Sequence, residues 1–194
     1  YGFSGTREWL KGIADALGLH LDTAIRKLED RYIEYFERLK TRLKGKKIFV
    51  SGGPGRLIGL LHILADFEMD IQAAALFWPH PNSQRDINHL LEQHHITMHE
   101  IIVSPSLYEL DEISQKYSFD LWLGGYQEQH TCKRQDIPFV PITVYTVPHV
   151  GFEGTINLGQ KLIMSLGGFD FTENVFNAKE ITPWSGHQTK HQHV

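Results

Sequence analysis

Residues 47–67 read KIFVSGGPGRLIGLLHILADF, and this stretch decides the fold of the chain. A short apolar run at Lys47–Ser51 leads into a glycine-rich turn, and apolar residues then recur at helical spacing over Leu57–Phe67. A strand, a tight turn and a helix in this order form the first unit of an α/β domain.

The same alternation continues toward the C-terminus. Four more short apolar runs predict strands at Ile71–Phe77, Glu100–Val103, Leu121–Gly124 and Val140–Val144. Helical spacing predicts helices at Gln84–Gln93, Leu107–Tyr117 and Glu153–Leu166. The connections are long enough for crossovers, so we expect an α/β fold with a Rossmann-like parallel sheet flanked by helices on both faces.

A helical segment precedes this sheet. Apolar residues at helical spacing predict a short helix at Thr6–Leu17, ended by Gly18, and a longer helix from Asp22 to Leu43. The chain therefore divides into three parts. We expect residues 1–45 to form a helical segment, residues 46–166 to form the Rossmann-like domain, and residues 167–194 to form an irregular C-terminal tail.

Composition and charge exclude several classes of function. The net charge of −4 gives no support for a nucleic-acid partner or an acidic membrane surface. The basic run Lys40–Lys47 fits the end of a helix, where cations complement the helix dipole. No membrane-spanning run and no signal-peptide pattern is present, which predicts a cytoplasmic protein. With one cysteine, Cys132, the chain alone forms no disulfide and completes no all-cysteine cluster site.

Ligands of open α/β sheets bind at the carboxyl ends of the strands. The glycine-rich turn after the first predicted strand is therefore tested first. Gly53, Gly55 and Gly59 give the spacing GxGxxxG, which is one residue longer than the dinucleotide fingerprint, and Pro54 removes a backbone N–H. No Gly-Lys-Ser/Thr follows, and Ser51 stands where a phosphoacceptor domain carries an acid. A nucleotide site is disfavoured, whereas a phosphate or other anion at this helix N-terminus stays open.

Histidine is abundant, with twelve residues. His94, His95 and His99 match no metal motif, so a structural role is favoured for them. In the tail, adventitious metal binding is open for His187, His191 and His193.

Cys132 has two open interpretations. A lone cysteine usually packs as a small apolar residue. The basic neighbours His130, Lys133 and Arg134 leave a reactive thiolate as the alternative.

The stretch Pro148–Leu158 follows the fifth predicted strand and opens the last helix. Gly151 supplies backbone freedom, Glu153 favours the positive helix N-terminus, and Gly154 allows close packing. His149 is the histidine best placed at the carboxyl end of a strand.

Several short motifs follow one another along the chain. They are Gly5-Thr6-x-x-Trp9-Leu10, Gly45-Lys46-Lys47-Ile48-Phe49-Val50, Asp120-Leu121-Trp122-Leu123-Gly124-Gly125, Ile137-Pro138-Phe139 and Gly151-Phe152-Glu153-Gly154. In this order they resemble the C-terminal part of nitrogenase component 1 subunits and their relatives. Those relatives include cofactor-assembly scaffolds and the catalytic subunits of protochlorophyllide and chlorophyllide reductases. The resemblance covers the chain to about Leu166, and its last motif is the most specific.

The resemblance implies a role in a larger assembly. In this family, Rossmann-like domains surround a metal cluster or a tetrapyrrole, subunits pair, and an ATP-dependent iron protein delivers electrons. The helical segment of residues 1–45 would then belong to an adjoining domain of the parent protein. An iron–sulfur or related metal cluster would belong to the parent complex. This chain would not bind the cluster fully, and alone it would be catalytically inactive, because the family's cluster cysteines lie upstream of the matched region.

One departure bears on the choice of subunit. In the family's molybdenum-cofactor-holding subunit, a histidine immediately precedes the glycine of the last motif and binds the cofactor. Val150 occupies that place here, and His149 lies one residue earlier. A partner-type subunit, an assembly scaffold or a divergent nitrogenase-like reductase therefore fits better.

Two hypotheses follow. In the first, the chain is part of a nitrogenase-like oxidoreductase subunit or scaffold and forms part of the wall of a cofactor or substrate site. No residue is assigned to catalysis, His149 is also the candidate metal ligand, and the candidate cofactor-binding residues are His149, Gly151, Gln127, Lys133, Gly53 and Gly55. In the second, the chain is a stand-alone binding module for a metal chelate, corrinoid or anion.

Overall fold

A computed structural model describes residues 1–142 and 149–167. Their strands form one five-stranded sheet in the order β3-β2-β1-β4-β5, and every neighbouring pair is parallel. The predicted α/β fold with a parallel sheet is confirmed. The strands are β1 Lys47–Gly52, β2 Asp70–Leu76, β3 Glu100–Val103, β4 Leu121–Gly124 and β5 Phe139–Pro141.

Helices cover both faces of this sheet. One face carries the larger apolar core, which contains residues of α3, α4, α5 and α8, and the other carries a smaller core with residues of α6 and α7. The helices of the described residues are α1 Phe3–Ala16, α2 Asp22–Asp30, α3 Ile33–Leu43, α4 Pro54–Asp66, α5 Ser83–Gln93, α6 Leu107–Lys116, α7 Gln129–Gln135 and α8 Gly151–Ser165. Within these ranges no helix is long and apolar enough to cross a membrane.

The alternation of strand side chains explains why β1 is apolar throughout. Ile48 and Val50 face the larger core, whereas Phe49 packs in the smaller core against Trp122 of β4, with 4.1 Å between ring centroids. Both faces of a central parallel strand are covered by helices, so a continuous apolar run is expected there.

The helix predicted from Asp22 to Leu43 is in fact two helices. The chain turns at Arg31 and Tyr32, where the Tyr32 N–H donates to the Glu29 carbonyl oxygen at 2.9 Å. Because of this turn, α3 directs Phe36 into the larger core, against Phe3 and Phe67, while α2 packs beside α1. The predicted helical spacing of the apolar residues is correct, but these residues lie on two helices and not on one.

One short helix, α7, was not among the helices predicted from the sequence. Residues from Gln129 onward form α7, a short helix that packs between β5 and α6. The predicted fifth strand, Val140–Val144, corresponds to β5 as far as Pro141. Its last two residues, and the tail from residue 168 with its three histidines, lie outside the described residues.

The helical segment shares the core of the sheet. Phe36 of α3 stacks on Phe67 with 5.2 Å between ring centroids, and Phe3 of α1 stacks on Phe36 at 4.5 Å. A Cβ atom on Gly159 of α8 would lie 2.7 Å from the Phe67 ring, so α8 approaches this cluster closely only with glycine there. Membership of residues 1–45 in an adjoining domain of a parent protein stays a prediction.

Two histidines join α4 to α5. His62 Nδ1 lies 3.0 Å from His94 Nε2, and both side chains are partly buried. Burial lowers the pKa of His62 from its usual value of 6.5, and the neighbouring His94 and the N-terminal amino group lower it further. Asp66 and Glu8 act in the opposite direction but do not reverse the shift.

This lowered pKa predicts the sign of a pH effect. The folded chain binds a proton at His62 less readily than the unfolded chain does, so stability should fall as the pH drops through 6.5 and below. Urea unfolding at pH 7.5 and 5.5 should show a smaller loss of stability in His62→Gln than in the wild type. An equal loss in both proteins would contradict this cause.

Candidate functional site

The carboxyl edge of the sheet contains a topological switch point. The chain leaves β1 for β2 on one side, and β4 pairs with β1 on the other side. Connections on the two sides of such a point diverge, and the crevice between them is the usual ligand site of open α/β sheets. β1 ends here at Gly52 and β4 ends at Gly124.

A buried polar pair lies at this switch point. The Ser51 hydroxyl donates a hydrogen bond to Oε1 of Glu128, whose side chain is only 2% exposed. A Cβ atom on Gly124 would lie 3.0 Å from the same Oε1, so the contact requires glycine at the end of β4. In the described part of the chain no other side chain donates to this carboxylate, which keeps acceptor capacity for a further donor.

A strained tryptophan lies beside the pair, one strand further along the edge. Trp78 follows β2 with φ of 49°, a left-handed conformation that costs a bulky side chain energy, and it is 76% exposed. A Cβ atom on Gly53 would lie 3.9 Å from the Trp78 ring. Ser104, just after β3, has φ of 50°. Strained backbone of this kind clusters at functional sites, although Glu68, His95 and Asp136 adopt it elsewhere in the described residues.

Trp78 should therefore stabilise the chain little or not at all. Glycine at this position relieves the left-handed strain, so we expect Trp78→Gly to raise the free energy of unfolding by about 1 kcal/mol. The control is Trp9→Gly, because Trp9 is 64% exposed but lies inside α1. Glycine there should instead lower the stability by about 0.5 kcal/mol. Thermal unfolding of both variants checks the sign, and a destabilised Trp78→Gly would contradict the account.

The predicted glycines of the first turn have different surroundings. Gly53 caps α4, and its carbonyl oxygen accepts the Leu57 N–H at 2.8 Å. Gly55 is exposed, and a Cβ atom there would meet nothing within 4 Å. Gly59 is buried against the Tyr1 ring and takes part in packing instead. Only the first two lie where a ligand at the edge would approach.

Gln127 directly precedes Glu128 in the chain, and Lys133 follows it by five residues. Gln127 is exposed on the turn before α7, and Lys133 is exposed on α7 itself. Cys132 between them is buried, and burial together with the nearby Glu128 charge raises the pKa of its thiol to about 12. The thiol is therefore protonated at neutral pH, which disfavours the reactive-thiolate alternative.

His149 and Gly151 lie at the start of α8. The His149 ring is half-buried, with its centroid 5.9 Å from that of Tyr1. Gly151 has φ of 81°, and its carbonyl oxygen accepts the Thr155 hydroxyl at 2.9 Å. A Cβ atom on Gly154 would lie 2.6 Å from the His149 backbone, so this turn depends on both glycines.

These residues do not form a metal-cluster site by themselves. Within residues 1–142 and 149–167, no group of three or more histidine, cysteine, aspartate or glutamate side chains converges to hold a metal ion. The roles assigned to His149, Gly151, Gln127, Lys133, Gly53 and Gly55 stay predictions. Sequence reasoning did not single out Ser51, Glu128 or Trp78 as candidate site residues. Glu128 gives no sequence signal, because it stands among other polar residues in Gln127–His130.

Comparison with known proteins agrees with this architecture. The chain is 28% identical to the nitrogenase molybdenum-iron protein alpha chain of Methanothermobacter marburgensis, over 86% of this chain and 35% of that protein. It is 25% identical to the nitrogenase iron-molybdenum cofactor biosynthesis protein NifE of Sinorhizobium fredii, over 95% of this chain and 38% of that protein. The chain thus spans about a third of the length of these relatives.

A solved structure shows the same fold. The structure named "Nitrogenase Cp1 at pH 6.5" superposes with a TM-score of 0.75 over 85% of this chain and 38% of that chain, at 20% sequence identity. The family model described as nitrogenase component 1 type oxidoreductase matches residues 1–166. The chain belongs to the nitrogenase component 1 type oxidoreductase family.

Proposed function

We propose that the chain is part of a nitrogenase component 1-like oxidoreductase subunit or of a cofactor-assembly scaffold. In this proposal, the carboxyl edge of its sheet forms part of the wall around a metal-cluster or substrate site. The observation that carries the location is the buried Ser51–Glu128 pair at the switch point, which places a carboxylate where ligands of such sheets bind.

Exposed apolar side chains at the same edge support the wall role. A chain in water gains nothing from exposing them, whereas a wall between domains would cover them. Large apolar side chains exposed after or at the ends of the strands, or just before α8, are Trp78, Val103, Leu107, Tyr108, Tyr126 and Val150.

The predicted site residues then take distinct roles. His149 would supply an imidazole at the start of α8, and Gly151 the left-handed turn that positions it. Gln127 and Lys133, both exposed, would present a neutral and a cationic donor from the turn before α7 and from α7 itself. Gly53 and Gly55 would let a ligand approach the backbone at the start of α4.

The parent protein would work with two partners. The relatives include alpha and beta chains of the nitrogenase molybdenum-iron protein, which supports a paired subunit. An ATP-dependent iron protein would deliver electrons. We assign no reaction step to the residues of this chain, because the described residues do not complete a cluster site.

Electron transfer tests this function. The full-length parent, purified without oxygen together with its paired subunit, should accept electrons from an ATP-dependent iron protein and contain iron. A colourless, inert complex would contradict the proposal. Tight binding of a metal chelate, corrinoid or anion by the 194-residue chain alone would instead favour the binding-module hypothesis.

A further inference from the structure

His62 of α4 and His94 at the end of α5 lie close enough for a hydrogen bond, and their separation is also one that two ligands of a metal ion can have. His62 Nδ1 and His94 Nε2 lie 3.0 Å apart, and the two rings are nearly perpendicular at 88°. The carboxyl edge and the candidate site residues do not include this pair.

The separation matches the spacing of two ligands on one metal ion. Imidazole nitrogens bind zinc at about 2.0–2.1 Å, and two ligands at right angles to tetrahedral angles then lie about 2.9–3.4 Å apart. The helices need no shift to reach this spacing. Neutral imidazole is the form that binds metals, and it is the commonest metal ligand among side chains.

The surroundings offer space and access. A cavity of about 380 Å³ opens beside His62 between α4 and α5. Its volume leaves room for water. Its lining includes His89, and also Asp86, which is paired with Arg85 at 3.2 Å. Neither side chain is counted as a ligand, because no three such groups of the described residues converge on one ion. On the other side, Gly5 of α1 adds no side chain, and a Cβ atom there would lie 3.9 Å from His62 Nδ1.

The charges around the pair are mixed. The carboxylates of Asp66 and Glu8 act on His62 and favour a cation there, whereas Arg85, which lines the cavity, opposes it. The Asp66 carboxylate is already occupied, since it accepts the Phe3 N–H at 2.6 Å and the Ser4 hydroxyl at 2.6 Å. It contributes charge to the site and does not act as a ligand.

We propose that His62 and His94 form a binding site for a divalent first-row transition metal ion, with water completing the coordination. Nitrogen ligands without thiolate select Zn²⁺, Ni²⁺ or Cu²⁺ over Mg²⁺ or Ca²⁺. The ring that donates the hydrogen bond moves its proton to its other nitrogen, so both facing nitrogens bind the ion and no proton is lost. The bound ion links α4 to the end of α5.

Thermal unfolding with and without NiCl₂ tests this site. The tail histidines must be removed first, so the reference protein carries His187→Ala, His191→Ala and His193→Ala in the full chain. Nickel at about 100 times its dissociation constant should raise the melting temperature of this reference by about 5–10 °C. MgCl₂ at the same concentration should not change it.

The matched variants add His62→Gln or His94→Gln to the reference. Both should lose the nickel shift, whereas Gln93→Ala, a change on the same groove, should keep it. Two results would overturn the proposal. In the first, nickel does not raise the melting temperature of the reference protein, so that the wild type binds an adventitious ion only, through its tail. In the second, nickel still raises the melting temperature of His62→Gln. If the glutamine variants do not fold, Cu²⁺ resonance spectra of the reference replace them. The proposal predicts two imidazole nitrogens on one ion, and a single imidazole nitrogen or none would contradict the site.

Discussion

Gly124→Ala is expected to destabilise the chain by about 1–3 kcal/mol, the usual cost of overpacking a filled interior. The added Cβ atom would lie 3.0 Å from Oε1 and 3.2 Å from Cδ of Glu128, and closer still to the Ser51 hydroxyl oxygen. Either the buried hydrogen bond breaks or the end of β4 moves. At about 2–4 °C per kcal/mol, the melting temperature should fall by several degrees.

Gly55→Ala is the matched control for this change. Gly55 lies at the same edge, inside α4, and its added Cβ atom would meet nothing within 4 Å. Alanine there should stabilise the helix by about 0.5–1 kcal/mol. Equal melting temperatures for Gly124→Ala and the wild type would show that the buried pair is looser than the structure indicates.

Phe36→Ala is expected to destabilise the whole chain by about 3–5 kcal/mol. The Phe36 ring is buried between Phe3 and Phe67, so its removal leaves a cavity shared by α1, α3 and α4. Because the helical segment and the sheet share this core, unfolding should remain one transition and move to lower urea concentration. Far-UV circular dichroism and tryptophan fluorescence should report the same midpoint.

The control for this second change is Leu28→Ala on α2, whose side chain is 38% exposed. An exposed substitution of this kind should change stability by less than about 0.5 kcal/mol. Two separate transitions in Phe36→Ala, with only the first one moved, would show that residues 1–45 fold apart from the sheet.

Periodicity carries most of the fold. β1 and β4 are apolar on both faces, and in the helices between them apolar residues recur every three to four positions. The sequence therefore predicts a parallel sheet covered by helices. The break at Arg31–Tyr32 does not follow, since no glycine or proline marks it. Only packing of α3 on α8 shows why the chain turns there.

The site is predicted less completely than the fold. Glycine patterns identify Gly53, Gly151 and Gly154 as turn or close-packing positions, and the structure has them there. The Ser51–Glu128 contact joins residues 77 positions apart, and no local pattern encodes it. The left-handed backbone of Trp78 could not be predicted either. Glycine or asparagine usually occupies such a position, so a tryptophan gives no signal of it.

The iron content of the full-length parent complex tests the central claim most directly. Gly55→Gln adds a side chain at the carboxyl edge where this chain has free space, so the chain should fold normally while the added side chain projects toward the proposed cofactor site. Met164→Gln on α8, at a 53% exposed position, is the control. We predict that Gly55→Gln lowers the iron bound per complex and that Met164→Gln does not; an unchanged iron content in Gly55→Gln would contradict the account.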